Sequence, residues 1–268
     1  MLESNNIYLG DSRELLKQID DNSIDMVLTS PPYDNLRTYN GTLEWSFEIF
    51  QDIAKELVRV LKDGGIIVWV VADATINGSE TGTSFRQALY FKELGLNIHD
   101  TMIWESEKIP LNHNRYEQSF EYMFCFSKGK PKTFNPIMVD CKKAGRKNSG
   151  QTFRHTNEVP RKAHKETNVK MYKIKQNVWF YQVGYMHSSK DKLAFKHPAI
   201  FPEQLAHDHI ISWSNENDII LDPFVGSGTT CKVSYDLKRQ YIGIEKVKEY
   251  YDIACERLQN AKAQLRLF

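Results

Sequence analysis

Apolar and polar positions along this chain follow two periods. Short apolar runs at Ile7–Leu9, Asn22–Leu28, Ile66–Val71, Ile98–Trp104 and Glu121–Phe126 read as strands. Between them Phe47, Phe50, Ile53, Ala54, Leu57, Val58 and Leu61 recur at spacings of three and four, which places one apolar face on a helix from Glu44 to Leu61. Asp63-Gly64-Gly65 closes that helix. Ile66–Val71 is apolar without a break, as a parallel strand covered on both faces must be. Further helices are expected over Arg13–Ile19 and over Ser84–Leu94, the second stopped at Gly95. From about Lys128 to Asn177 the periodicity fails. It resumes with a strand at Val178–Gln182, a helix around Glu203–Ile210, a strand at Ile219–Leu221, a helix from Thr229, a strand at Tyr241–Ile244 and a last helix from Lys246 to about Ala263. Strands alternating with helices predict a three-layer α/β fold with a mostly parallel sheet. Such sheets take ligands beyond the carboxyl ends of their strands, where the strand order switches direction.

Composition adds one asymmetry. The 268 residues carry 35 Lys and Arg against 34 Asp and Glu, a balance of +1. Between Asp140 and Lys175, however, eleven basic residues face three acidic ones, so the rest of the chain is net acidic. This stretch coincides with the loss of periodicity and also holds Phe153, Tyr172, Gly145 and Gly150. A basic insert on a mildly acidic body points to a localised polyanion contact, against the plainer reading of a solvated loop. No run approaches the roughly 18 apolar residues that span a bilayer, and the N-terminus lacks a signal-peptide pattern, so a cytoplasmic protein without membrane contact is expected. Cys125, Cys141, Cys231 and Cys255 are scattered, with no pair spaced for a metal or a disulfide framework; no metal is expected.

Two motifs carry chemistry. Thr29-Ser30-Pro31-Pro32-Tyr33 ends the second strand. Consecutive prolines make this a stiff extended turn that returns to neither sheet nor helix. Ser30 and the Pro31 carbonyl then stand as acceptors beside the Tyr33 ring, a cradle for a planar, amine-bearing ring. Alone, the motif reads as a rigid loop or a polyproline ligand. The second motif is Asp222-Pro223-Phe224-Val225-Gly226-Ser227-Gly228-Thr229-Thr230, a strand, glycine turn and helix start. It lacks the lysine of a phosphate-binding loop, and Cys231 stands where a dinucleotide fingerprint has its third glycine. An adenosine cofactor without a pyrophosphate fits better. Glu245 closes the next strand, where an acidic side chain accepts ribose hydroxyls. No Pro-Cys pair exists, which excludes the thiolate route to methylation of a cytosine ring carbon and leaves exocyclic amines.

Together the ordered motifs resemble the S-adenosylmethionine-dependent DNA amino-methyltransferases, in the circular order called the β group. The similarity runs over nearly the whole chain, through Gly10-Asp11, Arg59-Val60-Leu61-Lys62-Asp63-Gly64-Gly65 and His197-Pro198-Ala199-Ile200-Phe201-Pro202-Glu203. The resemblance implies a Rossmann-like methyltransferase with a mostly parallel seven-stranded sheet. Its catalytic half would span residues 1–127, a target-recognition insert 128–177 and a cofactor-binding half 178–268. It places Ser30, Pro31, Pro32 and Tyr33 at the catalytic centre, with a flipped base stacked on Tyr33 or another nearby aromatic. S-adenosyl-L-methionine is the implied cofactor. Phe224, Gly226, Ser227, Gly228 and Thr229 surround its methionine part, Glu245 its ribose and Asp11 its adenine amine. Phe201 and Pro202 form the opposite wall, and Asp222 either organises the turn or meets the ammonium group. Ser at position 30 favours cytosine N4 as the methyl acceptor, whereas enzymes acting on adenine N6 more often carry Asp there.

Double-stranded DNA is the implied partner. Lys142, Lys143, Arg146, Lys147, Arg154, Arg161 and Lys162 are candidates for its phosphates, and Arg37 and Tyr39 follow the catalytic turn closely enough to join them or simply to pack the loop. A homodimer and a separately encoded restriction endonuclease are both compatible with this group. The alternatives are an adenine-N6 methyltransferase and, from another class, a catalytically silent nucleic-acid-binding protein with the same fold. A nucleotide hydrolase is a poor third without the loop lysine.

Overall fold

A computed structural model describes residues 2–32, 45–107, 115–148 and 167–265. Tyr33, Arg37, Tyr39, Arg154, Arg161 and Lys162 lie outside the described residues. The chain divides into two compact units, residues 1–135 with 177–268 and residues 136–176.

The larger unit begins with strand β1 (Asn6–Leu9), helix α1 (Ser12–Leu15), strand β2 (Ile24–Thr29) and helix α2 (Phe47–Val60). Ser46 caps α2, its hydroxyl accepting from the Ile49 amide at 3.3 Å. The helix buries Phe50, Ile53, Ala54, Leu57 and Val60, the face that the spacing predicts. It runs directly into strand β3 (Leu61–Val71), five residues earlier than the apolar run suggests. Leu61 pairs with Ile24 and Ile66 with Met26, so the polar segment from Lys62 to Gly65 is a bulge within the strand rather than a turn before it. A small hairpin, β4 (Thr75–Ile76) with β5 (Ser79–Glu80), precedes helix α3 (Thr83–Glu93). Strands β6 (Asn97–Glu105) and β7 (Phe120–Ser127) follow as an antiparallel pair.

The smaller unit holds two short antiparallel ladders where sequence periodicity is absent. They join β8 (Met138–Asp140) to β11 (Tyr172–Ile174), and β9 (Lys147–Asn148) to β10 (Thr167–Asn168). Strands of two and three residues are too short to leave an apolar alternation to read. This unit begins at Pro136 rather than at 128, because residues before it pack on the sheet domain. Lys128 Nζ donates to the Val58 and Leu61 carbonyls at the end of α2, and Phe134 stacks on Trp213 with centroids 4.9 Å apart.

The larger unit resumes with β12 (Val178–Phe180), α4 (Glu203–Trp213), β13 (Ile219–Asp222), α5 (Thr229–Asp236), β14 (Gln240–Glu245) and α6 (Lys248–Leu265). Among the described residues its sheet has eight strands in the order β1-β14-β13-β2-β3-β7-β6-β12, one more than the seven expected. The additional strand is β12, which pairs in parallel with the C-terminal end of β6. Only β7 runs against the rest. Helices α1, α2 and α3 pack on one face and α4, α5 and α6 on the other, giving three layers. Ile67, Trp69 and Val71 join the α2 side of the core, and the alternate residues of β3 are buried on the opposite face. Because β2 and β13 are neighbours whose following strands lie in opposite directions, the switch point falls between them.

Candidate active site

The two motifs end adjacent strands at that switch point. Thr29 closes β2 and Asp222 closes β13, and the Thr29 hydroxyl donates to Asp222 Oδ1 at 2.6 Å. The same oxygen accepts from the Phe224 amide at 3.0 Å, which turns the chain sharply after the strand. Asp222 is almost fully buried, and the loss of water pushes its carboxyl up to about 6, opposed by hydrogen bonds from Thr29, Thr230 and the Phe224 amide. Asp222 therefore organises the turn from below and does not line the cleft.

Four contacts fix the turn itself. Ser12 Oγ donates to the Pro223 carbonyl at 2.5 Å, the Val225 amide to the Ile244 carbonyl at 3.0 Å, and the Gly226 amide to Glu245 Oε2 at 2.8 Å. Arg257 Nη1 donates to the Ser227 carbonyl at 2.5 Å. Gly226 has φ +52° and a Cβ there would stand 3.0 Å from the His197 ring. Gly228 has φ +86° and a Cβ would meet Ala254 Cβ on α6 at 2.9 Å. Both positions need glycine for the turn and for close packing.

Above the turn lies an open cleft of about 1140 Å³, adjoining solvent included. Ser30, Pro31 and Pro32 line it, together with Asp11, Phe201, Phe224, Gly226, Ser227, Thr229 and Glu245. Gly228 and Pro202 do not. The first packs behind the turn against α6, and the second is the residue preceding α4. Glu245 uses Oε2 for Gly226 and Oε1 for the Val247 amide at 2.8 Å. Burial raises its carboxyl above the usual range while these amides pull it down. Asp11 caps α1 and is held well below the usual carboxylate range, chiefly by Arg13 and also by Lys246. Its Oδ1 accepts from the Arg13 amide and Nε, and its Oδ2 meets Arg13 Nη2 at 2.9 Å and Lys246 Nζ at 3.2 Å. All four acceptor directions of the carboxylate are engaged, so another donor reaches Asp11 only by displacing one of these cations.

The cleft has walls that the motifs do not announce. Trp45, Ile49 and Ile53 from the start of α2 line it beside Phe224, whose ring Trp45 meets edge-on at 5.4 Å. His197 and Tyr250, 4.3 Å apart between ring centroids, stand against the glycine turn. The cleft is lined too by Trp104 and Glu121, directly opposite one another in the pairing of β6 with β7. Both sit at the carboxyl edge of the sheet, the one signal by which they could have been singled out from sequence. None of the four cysteines lines the cleft, and all are free thiols. Among the described residues no group of three His, Cys, Asp or Glu side chains is placed to hold a metal, and no helix is long and apolar enough to cross a membrane.

In the smaller unit Lys142, Lys143, Arg146 and Lys147 are exposed on and beside the connection from β8 to β9. The connection is a turn, with the Ala144 amide on the Cys141 carbonyl and the Arg146 amide on that of Lys143.

An eight-stranded, mostly parallel sheet with a glycine turn and a Ser-Pro-Pro turn meeting over its switch point defines a Rossmann-like methyltransferase fold. Among solved structures, a PvuII DNA methyltransferase described as cytosine-N4-specific superposes with a TM-score of 0.69 at 22% identity, over 98% of this chain and 92% of that one. A DNA modification methylase from Thermus thermophilus, solved with S-adenosyl-L-methionine, gives 0.62 at 21% identity over 95% of each chain. The sequence is narrower still: residues 24–256 match the DNA methylase family of N6 and N4 enzymes, and the chain belongs to that family. The orphan methyltransferase M.BamHII of Bacillus amyloliquefaciens is 54% identical over 248 residues, covering 91% of this chain and 92% of that protein.

Proposed function

We propose that this DNA methylase transfers the methyl group of S-adenosyl-L-methionine to the exocyclic N4 amine of a cytosine flipped out of double-stranded DNA. The observation that carries the proposal is that Ser30-Pro31-Pro32 and the Phe224–Thr229 turn line one cleft. Donor and acceptor bound at these two turns would meet over the switch point, and catalysis is then chiefly alignment for in-line transfer. The fit to the cofactor rests on its chemistry. Ile49 and Ile53 offer apolar surface for adenine, Glu245 retains acceptor capacity for ribose hydroxyls, and the turn offers the Phe224 ring and two hydroxyls to the amino-acid part.

In the reaction the amine nitrogen attacks the sulfonium methyl, the N–C bond forms as the S–C bond breaks, and S-adenosylhomocysteine leaves as a neutral thioether. The Ser30 hydroxyl and the Pro31 carbonyl accept hydrogen bonds from the amine and draw its lone pair out of conjugation with the ring. The amine proton then passes to solvent, since serine is a poor base. The absence of cysteine from the cleft supports an amine rather than a ring carbon as acceptor. Cytosine is favoured over adenine by Ser30, where adenine enzymes of the resembling group more often have Asp. The basic turn from Lys142 to Lys147 supplies phosphate contacts of a target-recognition unit acting on cytoplasmic DNA, in the manner of restriction-modification enzymes. Incubating the protein with DNA and methyl-labelled cofactor, then separating nucleosides by mass spectrometry, tests this directly. N4-methylcytosine is expected, N6-methyladenine would refute the choice of base, and no transfer would refute the activity.

A further inference from the structure

The turn that carries Ser227 rests on a buried cation that no motif singles out. Arg257, on α6, has a fully buried side chain. Its Nε donates to Asp191 Oδ2 at 2.8 Å and its Nη2 to Glu203 Oε1 at 2.7 Å. Its Nη1 reaches the Ser227 carbonyl at 2.5 Å, Ser227 Oγ at 3.1 Å and Thr229 Oγ1 at 3.4 Å. Nη1 has two N–H groups, one for the Ser227 carbonyl and one shared between the two hydroxyl oxygens, and since a guanidinium has donors only, neither hydroxyl proton points at it. One proton can bridge the 3.5 Å between the two hydroxyls, and the other is then available to an acceptor bound in the cleft that both residues line. Arg257 and Lys232 together balance Asp191 and Glu203, so the influence of Arg257 on the cleft is through the direction of these hydroxyls rather than through net field.

We propose that Arg257 is a positioning residue that makes the Ser227–Thr229 hydroxyl pair a hydrogen-bond donor toward the carboxylate of the cofactor's methionine part. This rests on S-adenosylmethionine being the cofactor. The same guanidinium joins Ser227 to Asp191 and Glu203, which flank the His197–Phe201 wall in sequence, and so holds the turn in register with that wall. Lysine cannot replace it: three donors on one nitrogen do not span two carboxylates and two hydroxyls as a planar fork does.

The test compares two probes by calorimetry, S-adenosylmethionine and its decarboxylated analogue, on the full chain carrying Arg257→Lys or Ser227→Ala. Each variant is expected to bind S-adenosylmethionine about tenfold more weakly, the loss of one charge-assisted hydrogen bond, and the decarboxylated analogue within about twofold of the wild type. Equal weakening of both probes would assign Arg257 a purely structural role and overturn the proposal. So would unchanged affinity for both. If Arg257→Lys does not fold, Ser227→Ala, which keeps the buried ion pairs, still tests the premise that this hydroxyl pair meets the carboxylate, and equal affinity changes for both probes in that variant would overturn the proposal. Wild-type protein that binds neither probe would overturn the cofactor reading and this inference with it, a result distinct from loss of selectivity in the variants.

Discussion

Replacing Asp222 with asparagine separates the structural use of this carboxylate from any contact with the cofactor. Burial pushes the Asp222 carboxyl from 3.8 to about 6, so between these values the native state holds a proton that the unfolded chain has released. The unfolded chain binds fewer protons there, and the contribution of this group to stability falls as pH rises through the window and is constant above it. Across the window the cost reaches about 3 kcal/mol, taking about 1.4 kcal/mol for each pH unit. Asparagine keeps an oxygen for the Thr29 hydroxyl and the Phe224 amide, and its NH2 can donate to Thr230, whose one hydroxyl proton is then given to the Leu28 carbonyl. The shift to about 6 already includes the hydrogen bonds to the charged form, and the fit of an amide in a site shaped for a carboxyl returns about 1 kcal/mol of that gain. Asp222→Asn is therefore expected to be more stable than the wild type by about 2 kcal/mol at pH 8, with the advantage largely gone at pH 4.5. Urea denaturation at both pH values, followed by tryptophan fluorescence, measures the difference. A variant less stable than wild type at pH 8, or a difference independent of pH, would refute the reasoning. Because Asp222 does not line the cleft, cofactor affinity should stay within about twofold of wild type, and a large loss would instead support a direct contact with the ammonium group.

Ser30→Ala should leave cofactor affinity near normal and lower single-turnover methyl transfer by about 10²-fold, because its contact strengthens only as the amine becomes tetrahedral; unchanged turnover would remove Ser30 from the mechanism. Gly228→Ala places a methyl group 2.9 Å from Ala254 Cβ at a φ of +86°, and is expected to cost about 3 kcal/mol, read as a fall in Tm of about 6–12 °C. A Tm equal to wild type would show that α5 and α6 can part without penalty. Changing Lys142, Lys143, Arg146 and Lys147 together to alanine should flatten the log–log salt dependence of DNA binding by about 0.9 for each phosphate no longer neutralised, without altering cofactor affinity. An unchanged slope would return this turn to the status of a solvated loop.

The elements most legible from the sequence are those in which burial and periodicity coincide. Helix α2 is readable because one stripe meets the sheet, and β3 because both its faces are covered. The start of β3 is not, since a bulge at Lys62–Gly65 is polar like a turn although its flanks remain in the ladder. Ser30, Phe224 and Glu245 can be placed at the cleft because strand ends and glycine turns declare themselves locally. Charged residues are harder to place, because a carboxylate or guanidinium is interpreted by its partners and those partners are distant in sequence. Asp11 is drawn into ion pairs with Arg13 and Lys246, and Asp222 is satisfied beneath the turn by Thr29, which lies 193 residues away. Arg257 is the extreme case. On an amphipathic helix near the end of the chain it reads as a solvent-facing residue, yet α6 packs behind the glycine turn and the guanidinium is sealed between two carboxylates and the Ser227 carbonyl. Burying such a charge is tolerable only with its partners in place, so removing it alone should cost more than the contacts it makes to the turn. That energetic isolation is why the selectivity between carboxylated and decarboxylated cofactor, rather than stability, is the property that can reveal what Arg257 does for binding.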